Sequence, residues 1–155
     1  MKKILFIGQT GSGKTTLCQR LHEQELKYRK TQAVDYFQSA IDTPGEYLEN
    51  RRFYHVLMTS AANAQVIGLV ADPTAPCSFL PPAFAGSFDK PVIGIVTKTS
   101  LAGEEQIEGA KKALMQAGAV PVFLVDTLQD RGIPELLSWL EEGENPVERK
   151  GIERS

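Results

Sequence analysis

Cysteine is scarce in this chain and badly placed for chemistry. Cys18 and Cys77 are the two present, far apart, with no CxxC and no Cys/His spacing. That excludes a disulfide framework and a zinc knuckle, so free thiols in a reducing cytoplasm are expected. A surplus of one charge is missing too. Seventeen Lys and Arg against nineteen Asp and Glu leave a formal net charge of −2. Nothing in that balance argues for nucleic acid or an anionic membrane surface as partner. Long apolar runs are also absent: "VIGLVA" and "VIGIV" are far too short to span a bilayer. The opening "MKKILFIG" sets two lysines before an apolar run, as a signal peptide does. The run ends at Gly8 with no cleavage site, so a first buried strand is the expectation. Histidine offers little, since His22 and His55 lie in helical stretches without partner spacing. Trp139 sits in "LLSWL" and is expected as a core plug.

What is present is an ordinary globular composition, 42% hydrophobic over 155 residues. That length fits one domain, expected over 1–143, followed by a charged, aperiodic tail over 144–155. Short apolar runs at 3–8, 40–42, 66–71, 91–97 and 121–125 read as strands. Several are almost continuously apolar, as strands covered on both faces must be. Helices are expected from Lys14 to about Glu23, Arg52 to about Ala62, Glu104 to Ala117 and Pro134 to Glu141. The alternation predicts a single-domain α/β fold with a mostly parallel sheet and helices on both faces. The proline-rich stretch 72–91 reads as loop with room for one short helix.

"GQTGSGKT", Gly8 to Thr15, matches G-x-x-x-x-G-K-[ST] in full, between an apolar strand and a helical pattern. Gly8, Gly11, Ser12, Gly13, Lys14, Thr15 and Thr16 make up the expected phosphate cradle. Glycines let backbone N–H groups turn toward phosphate oxygens, and the helix start points its positive end the same way. Lys14 reaches the terminal phosphates, and Thr15 offers a hydroxyl to Mg²⁺. "IDTPGE" supplies a second site. Asp42 is expected to hold the magnesium through water, and Gly45 to give a backbone N–H to the γ-phosphate. Thr31, in the polar stretch between, is the candidate that closes over the metal. Thr43 competes for other local roles. Glu46 follows Gly45 and is the candidate for orienting water, although an ionised Glu only accepts hydrogen bonds and faces a negative phosphate. Arg29, Arg51 and Arg52 are expected as surface residues.

"GQTGSGKT", "RKTQAV", "DTPGEYLENR" and the following "TSA" together resemble the small P-loop GTPase-like proteins of ethanolamine and propanediol utilisation. The propanediol-type branch is the closer likeness. The resemblance implies a Ras-like fold, GTP/GDP or ATP/ADP with Mg²⁺ as cofactors, and cytoplasmic residence. It also implies association with a bacterial microcompartment, whose shell or associated proteins would be partners. Some relatives are linked to ATP-dependent phosphorylation of acetate. Three functions therefore stay open: a slow NTPase or switch, a phosphotransferase to a small carboxylate such as acetate or propionate, and a non-catalytic binding module.

The pattern breaks on the base side. Guanine-reading proteins of this class carry [NT]-K-x-D, where this chain has Thr97, Lys98, Thr99 and Ser100. A hydroxyl cannot replace two charged acceptors. That substitution is expected to cost about 3–5 kcal/mol of guanine preference, and Ser100→Asp to restore part of it. After the last strand stand Val125, Asp126 and Thr127. Asp126 is read either as a solvated acid at a strand end or as a carboxylate that meets the base.

Overall fold

The structure, a computed structural model, describes residues 2–9, 11–29, 40–43, 52, 54–75 and 83–142. Thr31, Gly45, Glu46, Arg51, Cys77 and the expected tail lie outside them. In chain order the elements are β1 (Ile4–Gly8), α1 (Lys14–Arg29), β2 (Ala40–Asp42), α2 (Tyr54–Ala61), β3 (Val66–Ala71), β4 (Val92–Val96), α3 (Glu104–Gln116), β5 (Val122–Leu124) and α4 (Ile133–Glu142). Two short 3₁₀ turns, Phe84–Ser87 and Thr99–Leu101, precede β4 and follow it.

The five strands form one parallel sheet in the order β2-β1-β3-β4-β5. Alternation of side chains divides the core into two layers. Leu5 and Ile7 of β1, with Ile67, Leu69 and Ala71 of β3, pack toward Leu57 of α2 and Leu114 of α3. Ile4 and Phe6, with Val66 and Val70, pack toward Leu17 and Leu21 of α1 and Leu136 and Leu140 of α4. Both faces are thus covered, and every residue of β1, β3 and β4 is buried. Each fully buried Leu or Ile contributes about 1.5–3 kcal/mol. Strand order fixes where a ligand fits. The chain leaves β1 toward β2 on one side and reaches β3 on the other. The crevice at the carboxyl ends of β1 and β3 is therefore a topological switch point.

Expected and observed elements agree to within a residue or two, with one larger difference. The helix read to about Glu23 continues to Arg29. "QELKYR" contains no Gly or Pro and is rich in good helix formers, so nothing local stops it. The α2 end is closed from outside the helix: Lys90 Nζ donates to the carbonyls of Ala61, Ala62 and Ala64 at 2.7, 3.1 and 2.6 Å. An ammonium at three C-terminal carbonyls satisfies both hydrogen bonding and the helix dipole. Trp139 packs partly buried against the second layer, with Lys2 Nζ 4.7 Å above its ring.

Candidate functional site

The phosphate loop is built by tight backbone geometry. Gly11 and Gly13 take φ of 80° and 100°, which side-chain-bearing residues rarely adopt. Gly8 ends β1 so close to its neighbours that a Cβ there would stand 2.7 Å from Val70 O. Ser12 is buried, and its Oγ has no hydrogen-bond partner among the described residues. Lys14 is 5% exposed at the first turn of α1, and its Nζ donates to Gln9 O at 3.1 Å. The side chain thus lies back across the mouth of the loop.

Thr15 and Asp42 come together across 27 residues of chain, Oγ1 donating to Oδ2 at 2.5 Å. The α1 start supplies one and the β2 end the other, because β1 and β2 are neighbours in the sheet. Both residues are exposed. No group of three His, Cys, Asp or Glu side chains that could hold a metal exists among the described residues. A hydroxyl and a carboxylate are hard oxygen donors that fit Mg²⁺ but cannot complete its shell alone. Waters or phosphate oxygens would have to complete the shell of a metal here. Thr43 belongs to the scaffold, since its buried Oγ1 donates to Phe6 O at 2.8 Å. Thr16 is exposed on α1. Cys18 is buried beneath the loop, and burial, then the Asp42 charge, push its thiol up to about 12. It is an inert packing group.

The loop after β4 holds the phosphate loop by two carbonyls. Thr97 Oγ1 donates to Ser12 O at 2.6 Å, and Lys98 Nζ to Gly11 O at 2.7 Å. Lys98 takes a left-handed φ of 54° to do so. Its ammonium also meets Asp72 Oδ2 at 2.8 Å, and Thr74 donates to the same carboxylate from N and Oγ1. Asp72 went unnoticed in the sequence. The signal was "DPT" at a strand end, where an acid followed two residues later by Thr closes a local turn. Burial alone would raise the Asp72 carboxyl, but the Lys98 ammonium and the Thr74 donors outweigh it and hold it below its usual 3.8. Its folded pKa lies below the unfolded value, so the stability it contributes is complete above that range and is lost as pH falls through the folded value. The difference in unfolding free energy between wild type and Asp72→Asn is therefore expected to be widest near neutral pH and to shrink below about pH 4. Urea unfolding at a series of pH values measures this. A difference independent of pH contradicts it.

Ser100 and Asp126 are brought together at the rim. Asp126 is not a solvated acid: it is 1% exposed. The loop after β5 closes on itself through reciprocal backbone bonds between Asp126 and Arg131, at 2.9 and 3.0 Å, and buries the carboxylate against the β4 loop. Asp126 Oδ2 accepts from Ser100 N at 3.1 Å and Oδ1 from Leu128 N at 2.9 Å.

A family model described as ethanolamine utilisation - propanediol utilisation matches residues 1–142. The chain belongs to this utilisation family. Propanediol utilization protein PduV of Citrobacter freundii is 44% identical over 140 residues, spanning 90% of this chain and 93% of that protein. Probable acetate kinase EutP of Escherichia coli K12 is 34% identical over 146 residues, spanning 90% and 89%. Among solved structures, the FeoB G-domain from Methanococcus jannaschii superposes with a TM-score of 0.60 at 20% identity, covering 90% of this chain and 94% of that one. That likeness concerns the fold. The chain thus combines the P-loop NTPase architecture with Thr97, Lys98, Thr99 and Ser100 at the place of the expected [NT]-K-x-D.

Proposed function

We propose that this utilisation-family protein binds a purine nucleoside triphosphate with Mg²⁺ and acts as a slow NTPase or switch, with little preference for guanine. The observation that carries the reading is the meeting of Thr15 and Asp42 at the start of α1, where the buried Lys14 also lies. Backbone N–H groups of Gly11 to Thr15 would receive the phosphates, and Lys14 would leave Gln9 O to reach them. Thr15 and Asp42 would hold the metal, which supplies charge neutralisation at the phosphates when bound. Thr31, Gly45 and Glu46 complete the reading from the sequence: Thr31 over the metal, Gly45 at the γ-phosphate and Glu46 at the water. An acceptor-only Glu46 beside negative phosphate fits slow turnover. Association with a bacterial microcompartment for propanediol or ethanolamine catabolism is part of the same reading and rests on family membership. No helix among the described residues is long and apolar enough to cross a membrane.

Thr15→Ala and Asp42→Ala test the metal side. Each is expected to weaken triphosphate binding in magnesium by about tenfold or more, while binding in excess chelator changes little. Titration calorimetry under both conditions reads the difference. Equal losses with and without magnesium contradict the assignment.

A second reading has one observation in its favour: a relative at 34% identity carries the name probable acetate kinase. Transfer of the γ-phosphoryl group to a small carboxylate would use the same loop, with acetate or propionate in place of water. Acyl-phosphate formation trapped with hydroxylamine, against phosphate release without carboxylate, separates the two.

A further inference from the structure

Asp126 stands at the carboxyl-terminal rim of the sheet, where a ligand's base would be met, yet almost none of it reaches solvent. A carboxylate offers about four acceptor sites. Two amides donate to this one, Ser100 N to Oδ2 at 3.1 Å and Leu128 N to Oδ1 at 2.9 Å. Burial by itself would raise the Asp126 carboxyl, and hydrogen bonding from Ser100, Leu128 and Gln129 outweighs it and holds it below its usual 3.8. The group is an anion held from within the protein and turned away from solvent. Its backbone is fixed as well, through Arg131 on one side and through Thr99 N, which donates to Val125 O at 3.4 Å. Ser100 itself is exposed, and its hydroxyl is a neutral donor and acceptor.

We propose that Ser100 and Asp126 form an exchanged pair, in which the carboxylate lies on the β5 loop as an inward clamp between the two rim loops and Ser100 offers the ligand's base edge a single neutral acceptor. The proposal rests on the nucleotide-binding reading above. A neutral acceptor takes an N–H from guanine or from the amino group of adenine with similar strength, so the ligand class is purine nucleotides without strong base selection. Asp126 is a positioning residue, acting on the base through Ser100.

The pairing changes the expectation for Ser100→Asp. A carboxylate introduced there would stand against the Asp126 carboxylate, and two such groups in contact cannot both stay ionised and ordered. S100D alone should gain no guanine preference. S100D/D126S should gain it, because the new hydroxyl on the β5 loop donates to the new carboxylate and leaves its remaining lone pairs for guanine N1–H and N2–H₂.

The test is a four-protein cycle of wild type, S100D, D126S and S100D/D126S, with two readouts. Titration calorimetry with GDP and ADP in magnesium is expected to give a ratio of affinities within about tenfold for wild type and S100D, rising at least about tenfold in the double variant. Thermal unfolding without nucleotide is expected to show lower melting temperatures for both single variants and recovery in the double. If D126S or S100D does not fold alone, a folded double variant is the same recovery. Guanine preference gained equally by S100D and the double variant overturns the proposal, as do additive losses of melting temperature. Absence of nucleotide binding in all four proteins overturns the base-edge half together with the function it rests on. The melting temperatures then decide the clamp by themselves.

Discussion

Lys14→Ala is expected to weaken binding of a magnesium–nucleoside triphosphate by at least about thirtyfold, or about 2 kcal/mol. Lys14 is almost fully buried at the start of α1. One of its contacts, Gln9 O at 3.1 Å, is a neutral carbonyl. Exchanging that carbonyl for a phosphate oxygen turns a charge–dipole bond into a charge–charge bond, which is the stronger class. Alanine keeps the helix and removes the charge. The loss should be larger for triphosphate than for monophosphate, because the side chain reaches the terminal groups. Calorimetry with the mono-, di- and triphosphate of one purine resolves this, and an equal loss for all three would place Lys14 elsewhere in the site.

Gly132→Ala is the change expected to damage the fold most, by about 3 kcal/mol or more. Gly132 holds φ at 79°, a conformation that costs a side-chain-bearing residue about 1–2 kcal/mol. A Cβ there would also stand 2.1 Å from Leu124 O, a backbone atom of β5 that cannot swing away as a side-chain tip does. Either β5 or the start of α4 must shift. Because Arg131, the preceding residue, carries both backbone bonds to Asp126, the shift would also open the rim loop. A lower urea midpoint at unchanged denaturant slope is the expected signature. A midpoint equal to wild type would mean that the turn is built differently.

Why the phosphate side is legible in the sequence and the base side is not follows from how far apart the cooperating residues lie. Strand β1, the glycines and the first turn of α1 are contiguous. Each residue type from Gly8 to Thr15 has its own local reason, so the pattern carries the geometry with it. The Thr15–Asp42 contact needs only that β1 and β2 be neighbours, which strand–helix alternation already implies. Asp126 is different. Its burial depends on Arg131 closing the loop and on Ser100, 26 residues earlier, lying beside it. Hydropathy at a strand end points to a solvated acid there, because acids are seldom buried without partners. The partners here are mostly backbone amides, which no residue code reveals. Lys98 and Asp72 repeat the lesson: their ion pair spans the ends of β4 and β3, and a strand-by-strand reading does not join them. The end of α1 is a smaller case. Helix propensity continues past Glu23, and there is no stop signal before Arg29 for a sequence reading to have used.

The central claim is a working phosphate loop joined to a base site that hardly selects between purines. Titration calorimetry of the wild-type chain with GDP, GTP, ADP and ATP, each with magnesium and with excess chelator, tests it most directly. The account predicts that both triphosphates bind, that magnesium strengthens their binding, and that guanine and adenine forms differ by no more than about tenfold. Failure of both triphosphates to bind would contradict the loop, and GDP bound more than about a hundredfold tighter than ADP would contradict the base site.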